Sequence, residues 1–251
     1  MNRFILALVA APIALAAVPA CSSTTTPGAS SGGSDDAGTS TEEEVPGGET
    51  QCTAARASHL LPIAKVSTGQ VKVLSTDGDV LTLYVDAAAG GAMEVKSNPR
   101  VYIKLTGEKV EVDDKEAFAS SDWDLALKRV DVYTNSGDAG PGKGGAALVT
   151  KDFDDVTAAD ADAASIASET FFDEECNGLT DEASFIVTTF SGWYDYEVGG
   201  GPTVKPRVSF IVRGADGTSR YKVGIVSYTG TSDGGTDGRA TGRFILKVAP
   251  L

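Results

Sequence analysis

Histidine is nearly absent from this 251-residue chain: His59 is the only one, and Met93 is the only methionine besides the initiator. With one imidazole, a Ser-His-Asp arrangement would have to be built on His59, which sits beside a segment too polar to fold. Basic charge is scarce too. The chain sets 21 Lys and Arg against 35 Asp and Glu, a formal charge of −14. That excludes nucleic acid as a partner and disfavours lying flat on an anionic bilayer. There is no C-x-x-C pair for redox chemistry and no Gly-Lys-Ser/Thr to cradle phosphate. After residue 20 no apolar run approaches the length of a membrane span. The clusters Asp152-Phe153-Asp154-Asp155, Asp160-Ala161-Asp162 and Asp233-Gly234-Gly235-Thr236-Asp237 lack the spacing and closing Glu of a calcium loop, so no metal site is assigned. Glycoside chemistry needs two placed carboxylates, and this many acidic residues single out no pair. The chain reads as non-enzymatic.

What is present begins with an export signal. Arg3 precedes an apolar run over residues 4–20, which ends in Val18-Pro19-Ala20-Cys21 and gives way to Ser, Thr and Gly. A branched residue, two small ones and a cysteine make a lipoprotein cleavage box, although a plain signal ending at a chance cysteine gives the same string. Residues 1–20 are thus expected to be removed and Cys21 to carry diacylglycerol and acyl chains such as palmitate. More than one chain makes anchoring stable. Residues 21–50 hold no aromatic residue and one lone Val45, too little apolar surface to offset ordering entropy. They read as a disordered acidic linker, and residues 51–251 as a single domain. The expected location is the outer membrane, on its periplasmic or cell-surface face, with the lipid bilayer a partner through Cys21. In that oxidising setting Cys52 and Cys176 are expected to pair as a disulfide.

The folded part is patterned as strands. Val71 and Val73 alternate with polar residues, Ser75-Thr76-Asp77-Gly78 reads as a turn, and residues 80–85 follow as a strand. Residues 101–105 and 110–112 flank Thr106-Gly107-Glu108-Lys109 as a hairpin. Residues 207–213 place Val208, Phe210 and Val212 on one face and turn through Gly214-Ala215-Asp216-Gly217 into 221–228. A last strand over 242–248 sets Phe244, Leu246 and Val248 on one face. Residues 157–168 suit either a short helix or an acidic loop. The fold class is therefore all-β, mostly antiparallel sheets with long loops, as one curled sheet or two packed ones.

The run Ser120-Ser121-Asp122-Trp123-Asp124-Leu125-Ala126-Leu127-Lys128-Arg129 continues through Val132-Tyr133-Thr134-Asn135-Ser136-Gly137 into Gly140-Pro141-Gly142-Lys143-Gly144-Gly145-Ala146. With Gly192-Trp193-Tyr194-Asp195-Tyr196 and Phe210-Ile211-Val212-Arg213-Gly214 downstream, the series resembles the HmuY-like family of bacterial surface lipoproteins. The resemblance spans about residues 80–248. It implies an all-β domain on the outer face of a diderm cell and, in the best-known members, capture of haem and its transfer to an outer-membrane protein. Those members coordinate iron with two histidines, and some relatives use methionine. Here His59 lies upstream of every matching block, and Met93 falls near the edge of the matched region. The two are candidate iron ligands that nothing in the sequence brings together, and haem is a possible cofactor only. His59 also lies close to the linker, in a segment expected to be poorly anchored.

The signature equally suits a structural role. Trp123 is expected to be a core anchor with its indole N–H on a backbone carbonyl. Asp122 and Asp124 are expected to accept backbone N–H bonds, with Arg129 pairing one of them. The glycines of 137–145 are expected to supply left-handed torsions. Two function classes follow. One is a binding module that captures haem or another small ligand without a histidine pair, through Trp193, Tyr194 and Tyr196. The other is a non-catalytic structural or protein-interaction component of the cell surface. A cavity lined by those three aromatics favours the first; their burial in a continuous core favours the second.

Overall fold

Alternation of small turns and apolar strands folds the chain into antiparallel β-structure. The computed structural model describes residues 52–88, 97–182, 184–197 and 201–251; Cys21, the linker and Met93 lie outside them. The elements, in order, are α1 (Thr53–Leu60), β1 (Val71–Asp77), β2 (Val80–Asp86), β3 (Val101–Ile103), β4 (Lys109–Val110), α2 (Asp114–Ala117), β5 (Leu125–Lys128), β6 (Asp131–Thr134), β7 (Gly145–Val149), α3 (Ala158–Ala163), β8 (Tyr194–Glu197), β9 (Gly201–Val204), β10 (Ser209–Arg213), β11 (Arg220–Ser227) and β12 (Arg243–Pro250). One sheet runs β1-β2-β12-β11-β10-β7, a second runs β4-β3-β5-β6, and β8 pairs only with β9. Every pairing between named strands is antiparallel.

The period of two sorts the side chains. Val101, Ile103, Leu125 and Leu127 share one core with Leu83, Val85, Val223, Phe244, Leu246 and Val248 of the six-stranded sheet. The intervening Tyr102, Ala126 and Tyr133 belong to a second core with Leu60, Trp123, Phe171 and Phe172. The two sheets thus pack face to face, the second of the two architectures the sequence allowed.

Trp123 is fully buried, its Nε1–H donating to the Ala117 carbonyl at 2.9 Å, as expected. Asp124 accepts from Leu105 N–H (2.9 Å) and Ala215 N–H (2.8 Å), stapling the two sheets' loops together. Asp122 has no such acceptor role among the described contacts, and Arg129 differs from expectation. It occupies the tight β5–β6 turn at φ 54°, its backbone N–H donates to the Ala87 carbonyl at 3.0 Å, and no bond to either aspartate is among the described contacts. The glycine loop meets the reading above at Gly137, which is left-handed at φ 49°, and departs from it at Gly140 and Gly142. A Cβ on Gly140 would lie 2.3 Å from Asn135 Oδ1, and one on Gly142 would lie 2.6 Å from the Asn135 carbonyl. These glycines are needed for close approach to Asn135, whose amide donates to the Ser120 and Trp123 carbonyls and accepts from Gly142 N–H.

One turn moves and two readings sharpen. The first turn falls on Gly78 and Asp79, because β1 stays paired through Asp77↔Val80. Strand β10 is buried on both faces: Ile211 lies under Val156 and Ala161. Residues 157–168 begin as a helix, α3, whose Thr157 N–H and hydroxyl both donate to Asp160 Oδ2. Cys52 and Cys176 are joined, with Cα atoms 5.2 Å apart across 124 residues of sequence.

Candidate functional site

A groove of about 490 Å³ opens between the β5–β6 turn, residues 181–196 and the β8–β9 hairpin. Part of its lining is held in place by a buried carboxylate. Glu169 accepts hydrogen bonds from Thr134 N–H (2.8 Å) and Thr189 N–H (2.9 Å) and from both threonine hydroxyls. Thr188 Oγ1 donates to the Val132 carbonyl at 2.8 Å. Together they bind the otherwise irregular residues 188–190 to the end of β6. Burial pushes the Glu169 carboxyl up, and its four donors oppose that shift.

The three aromatics singled out in the sequence come together here, at three depths. Trp193 is 2% exposed and belongs to the core, packed on Tyr228 and Phe244 with its indole N–H on the Val130 carbonyl at 3.2 Å. Tyr194 leans on it, ring centroids 4.6 Å apart. Tyr196 stands 64% exposed at the rim, where Lys205 and Asp195 form an ion pair at 3.3 Å. Phe185, 49% exposed, faces the groove from the other side. The two conditions posed for these side chains are both met in part: Trp193 is core, while the tyrosines line open space.

A second hollow of about 170 Å³ adjoins the first. Asp131, Phe185, Ile186 and Thr188 line both. His59, Leu60, Arg100, Tyr133, Phe171 and Ser184 complete the smaller one. Asp131 keeps contact with solvent but is surrounded by protein, and burial raises its carboxyl against the pull of Arg100, Lys128 and Arg129. The Tyr194 phenol is pushed up by burial and then by Asp131, which works against the phenolate that an iron ion would need. Among the described residues no three His, Cys, Asp or Glu are grouped to hold a metal ion.

His59 is better anchored than its nearness to the linker suggests. The disulfide ties the start of α1 to residue 176, Leu60 is 1% exposed, and Arg100 Nη2 donates to the Leu60 carbonyl. Arg56 Nε donates to the Asp138 carbonyl. The imidazole meets Phe171 and Phe172 edge-on at 5.7 and 6.1 Å, with its outer edge in solvent. Packing on those rings and then the Arg100 charge hold its pKa below the ordinary histidine value. Between that lowered value and about 6.5 the unfolded chain binds more protons, so stability falls as pH drops through this window. The single histidine makes this measurable: its NMR titration midpoint should lie below about 6.5, and urea midpoints should lose their slope in that window in His59→Gln. An unshifted midpoint would show the ring to be free of Phe171 and Arg100.

Asp131, Glu169, Arg100 and Phe185 were not singled out from the sequence, and only Asp131 carried a signal, a lone acid heading an apolar strand. No helix among the described residues is long and apolar enough to cross a membrane. No curated protein matches the chain. The profile of the family described as HmuY protein matches residues 96–244, more than half of the chain, and that span contains both hollows except for the His59 wall; the chain belongs to the HmuY family.

Proposed function

We propose that the protein is a lipid-anchored surface module that binds a flat, largely apolar small molecule in the groove over Trp193, between Tyr194, Tyr196 and Phe185. The observation that carries this reading is the groove itself: its size lies within the usual range for small-molecule sites, and aromatic rings stand at its floor, wall and rim. Membership of a family of non-catalytic binding proteins supports it. Haem is one candidate ligand. The described groove offers its ring stacking surface and offers its iron no histidine, cysteine or methionine, so binding rests on contact with the macrocycle. Anchoring through an acylated Cys21 belongs to the same proposal, and intact-mass analysis of the membrane-bound protein reads it directly.

Titration of the purified chain with haemin, followed in the Soret band, tests the ligand. Saturable binding is expected, unchanged in His59→Ala and weakened about tenfold in Tyr194→Ala or Tyr196→Ala, the loss of one stacking surface. A tight one-to-one complex abolished by His59→Ala would contradict the reading and restore ordinary iron ligation. Binding of no flat ligand at all would shift the weight to an interaction surface, for which the exposed Leu179, Phe185, Val187 and Tyr196 are the material.

A further inference from the structure

The groove wall holds one carboxylate that the described fold does not use. Asp131 begins β6 and lines both hollows, where it keeps contact with solvent. Among the described residues no side-chain hydrogen bond and no ion pair reaches it. Burial opposes its charge, which Arg100, Lys128 and Arg129 favour from a distance. None of those three lines the groove, and Arg100 is already held by Asp114 at 3.1 Å. An asparagine at 131 would fill the same space without placing a charge among protein atoms.

The groove around Asp131 is both acidic and aromatic. Between Lys151 and Lys205 the sequence places thirteen Asp and Glu and no basic residue, and the lining from 181 to 196 falls in that stretch. Asp131, Asp181, Glu182 and Asp195 line the groove against Lys205 alone, and Lys205 is paired with Asp195. Asp181 accepts from the Phe185 N–H at 2.9 Å, a neutral donor that leaves its charge in place. At the wall, burial and then Asp131 and Asp181 push the Tyr194 phenol up. Carboxylates and the faces of aromatic rings attract the same thing, a positive charge.

We propose that the groove prefers, among flat ligands, one that carries an ammonium group, with Asp131 as its counter-ion. The inference rests on the groove being the binding site and names the class of molecule it favours. The ammonium reaches Asp131 through the open groove, so no part of the fold has to move. There it displaces water from a carboxylate that protein surrounds, where a charge-assisted hydrogen bond is worth more than on an open surface. The Tyr194 ring, which already feels Asp131, offers the same cation its face. A ligand carboxylate would meet four acidic side chains instead.

Three probes that share one flat body test this by fluorescence anisotropy on the purified chain at neutral pH: 1-pyrenemethylamine, 1-pyrenemethanol and 1-pyrenecarboxylate. The ammonium is expected to bind about tenfold more tightly than the alcohol, and the carboxylate more weakly than either. In Asp131→Asn the ratio of ammonium to alcohol affinity should fall to about threefold or less. The urea midpoint of that variant should be unchanged or higher, and Asp131→Glu, which restores the charge, should restore the ratio. Equal affinities for ammonium and alcohol in the wild type would overturn the preference and leave the groove standing. A preference that survives Asp131→Asn would overturn the counter-ion. Binding of no probe would overturn both the groove and its preference. Unfolding of Asp131→Asn would also overturn the proposal, because the carboxylate would then have a structural partner.

Discussion

Replacing Trp123 with alanine is expected to destabilise the fold by about 3–5 kcal/mol, the range for truncating a large buried aromatic side chain. The indole is completely enclosed. It meets Tyr102 at 5.0 Å and Tyr133 at 6.4 Å between ring centroids, and a Cβ on Gly140 would fall 2.9 Å from its Cζ2. That proximity matters for the size of the effect. Backbone abuts the ring on one side and rigid aromatics on the others, so the cavity left by alanine has little means of collapsing. The Ala117 carbonyl would lose its indole donor as well. Urea denaturation followed by circular dichroism measures the loss. A value below about 1 kcal/mol would show the ring to be exposed in solution and available to a ligand.

Asp114→Ala should have an effect of the same order, about 3–5 kcal/mol, by stranding a buried cation. Asp114 is wholly inaccessible. Its Oδ1 accepts from Arg100 N–H and the Tyr102 hydroxyl, both at 3.0 Å, and its Oδ2 from Arg100 Nη1 and Ile63 N–H, both at 3.1 Å. Removing it leaves the Arg100 guanidinium without its counter-ion and four donors without an acceptor. Asp114→Asn keeps the shape and part of the hydrogen bonding, so it should cost less. The change also reaches the site, because Arg100 holds the Leu60 carbonyl and with it the α1 wall that carries His59. Equal urea midpoints for Asp114→Ala and the wild type would mean that Arg100 finds water instead.

The contrast between these two residues shows how much the sequence made legible. Trp123 could be placed because it heads an apolar strand between charged neighbours, and strand patterning is local. The same local signals placed β10, β11 and β12 and, with compartment chemistry, the Cys52–Cys176 bond. Asp114 could not be placed. Its pattern, Asp113-Asp114-Lys115-Glu116, announces a helix cap, and Asp113 is indeed the N-cap, accepting from Lys115 and Glu116 N–H. Nothing local says that the second aspartate turns inward to Arg100 and Tyr102. Likewise Trp193, Tyr194 and Tyr196 were found by their family-like block, but the opposite wall was not. Phe185 and Ile186 sit in the three-residue apolar run Phe185-Ile186-Val187, too short to show a strand period. They are set by the Thr180↔Ile186 bridge and the Asp181 N–H bond to the Phe185 carbonyl, while Glu169 fixes the following residues through contacts across 20 and 35 residues. The anchoring of His59 depends on the disulfide, Arg56 and Arg100 acting on one short helix from three directions, which composition near a linker does not reveal.

The central claim is that ligand binds between the tyrosines of the groove and away from any histidine pair. Ring-labelled tyrosine and histidine make that directly visible, because the chain has seven tyrosines and one histidine, and Tyr84 sits buried on β2, outside both hollows. On addition of metal-free protoporphyrin IX, the Tyr194 and Tyr196 ring signals should shift in proportion to occupancy while Tyr84 and the His59 imidazole stay in place. Shifts centred on His59, with Tyr194 and Tyr196 unmoved, would contradict the account.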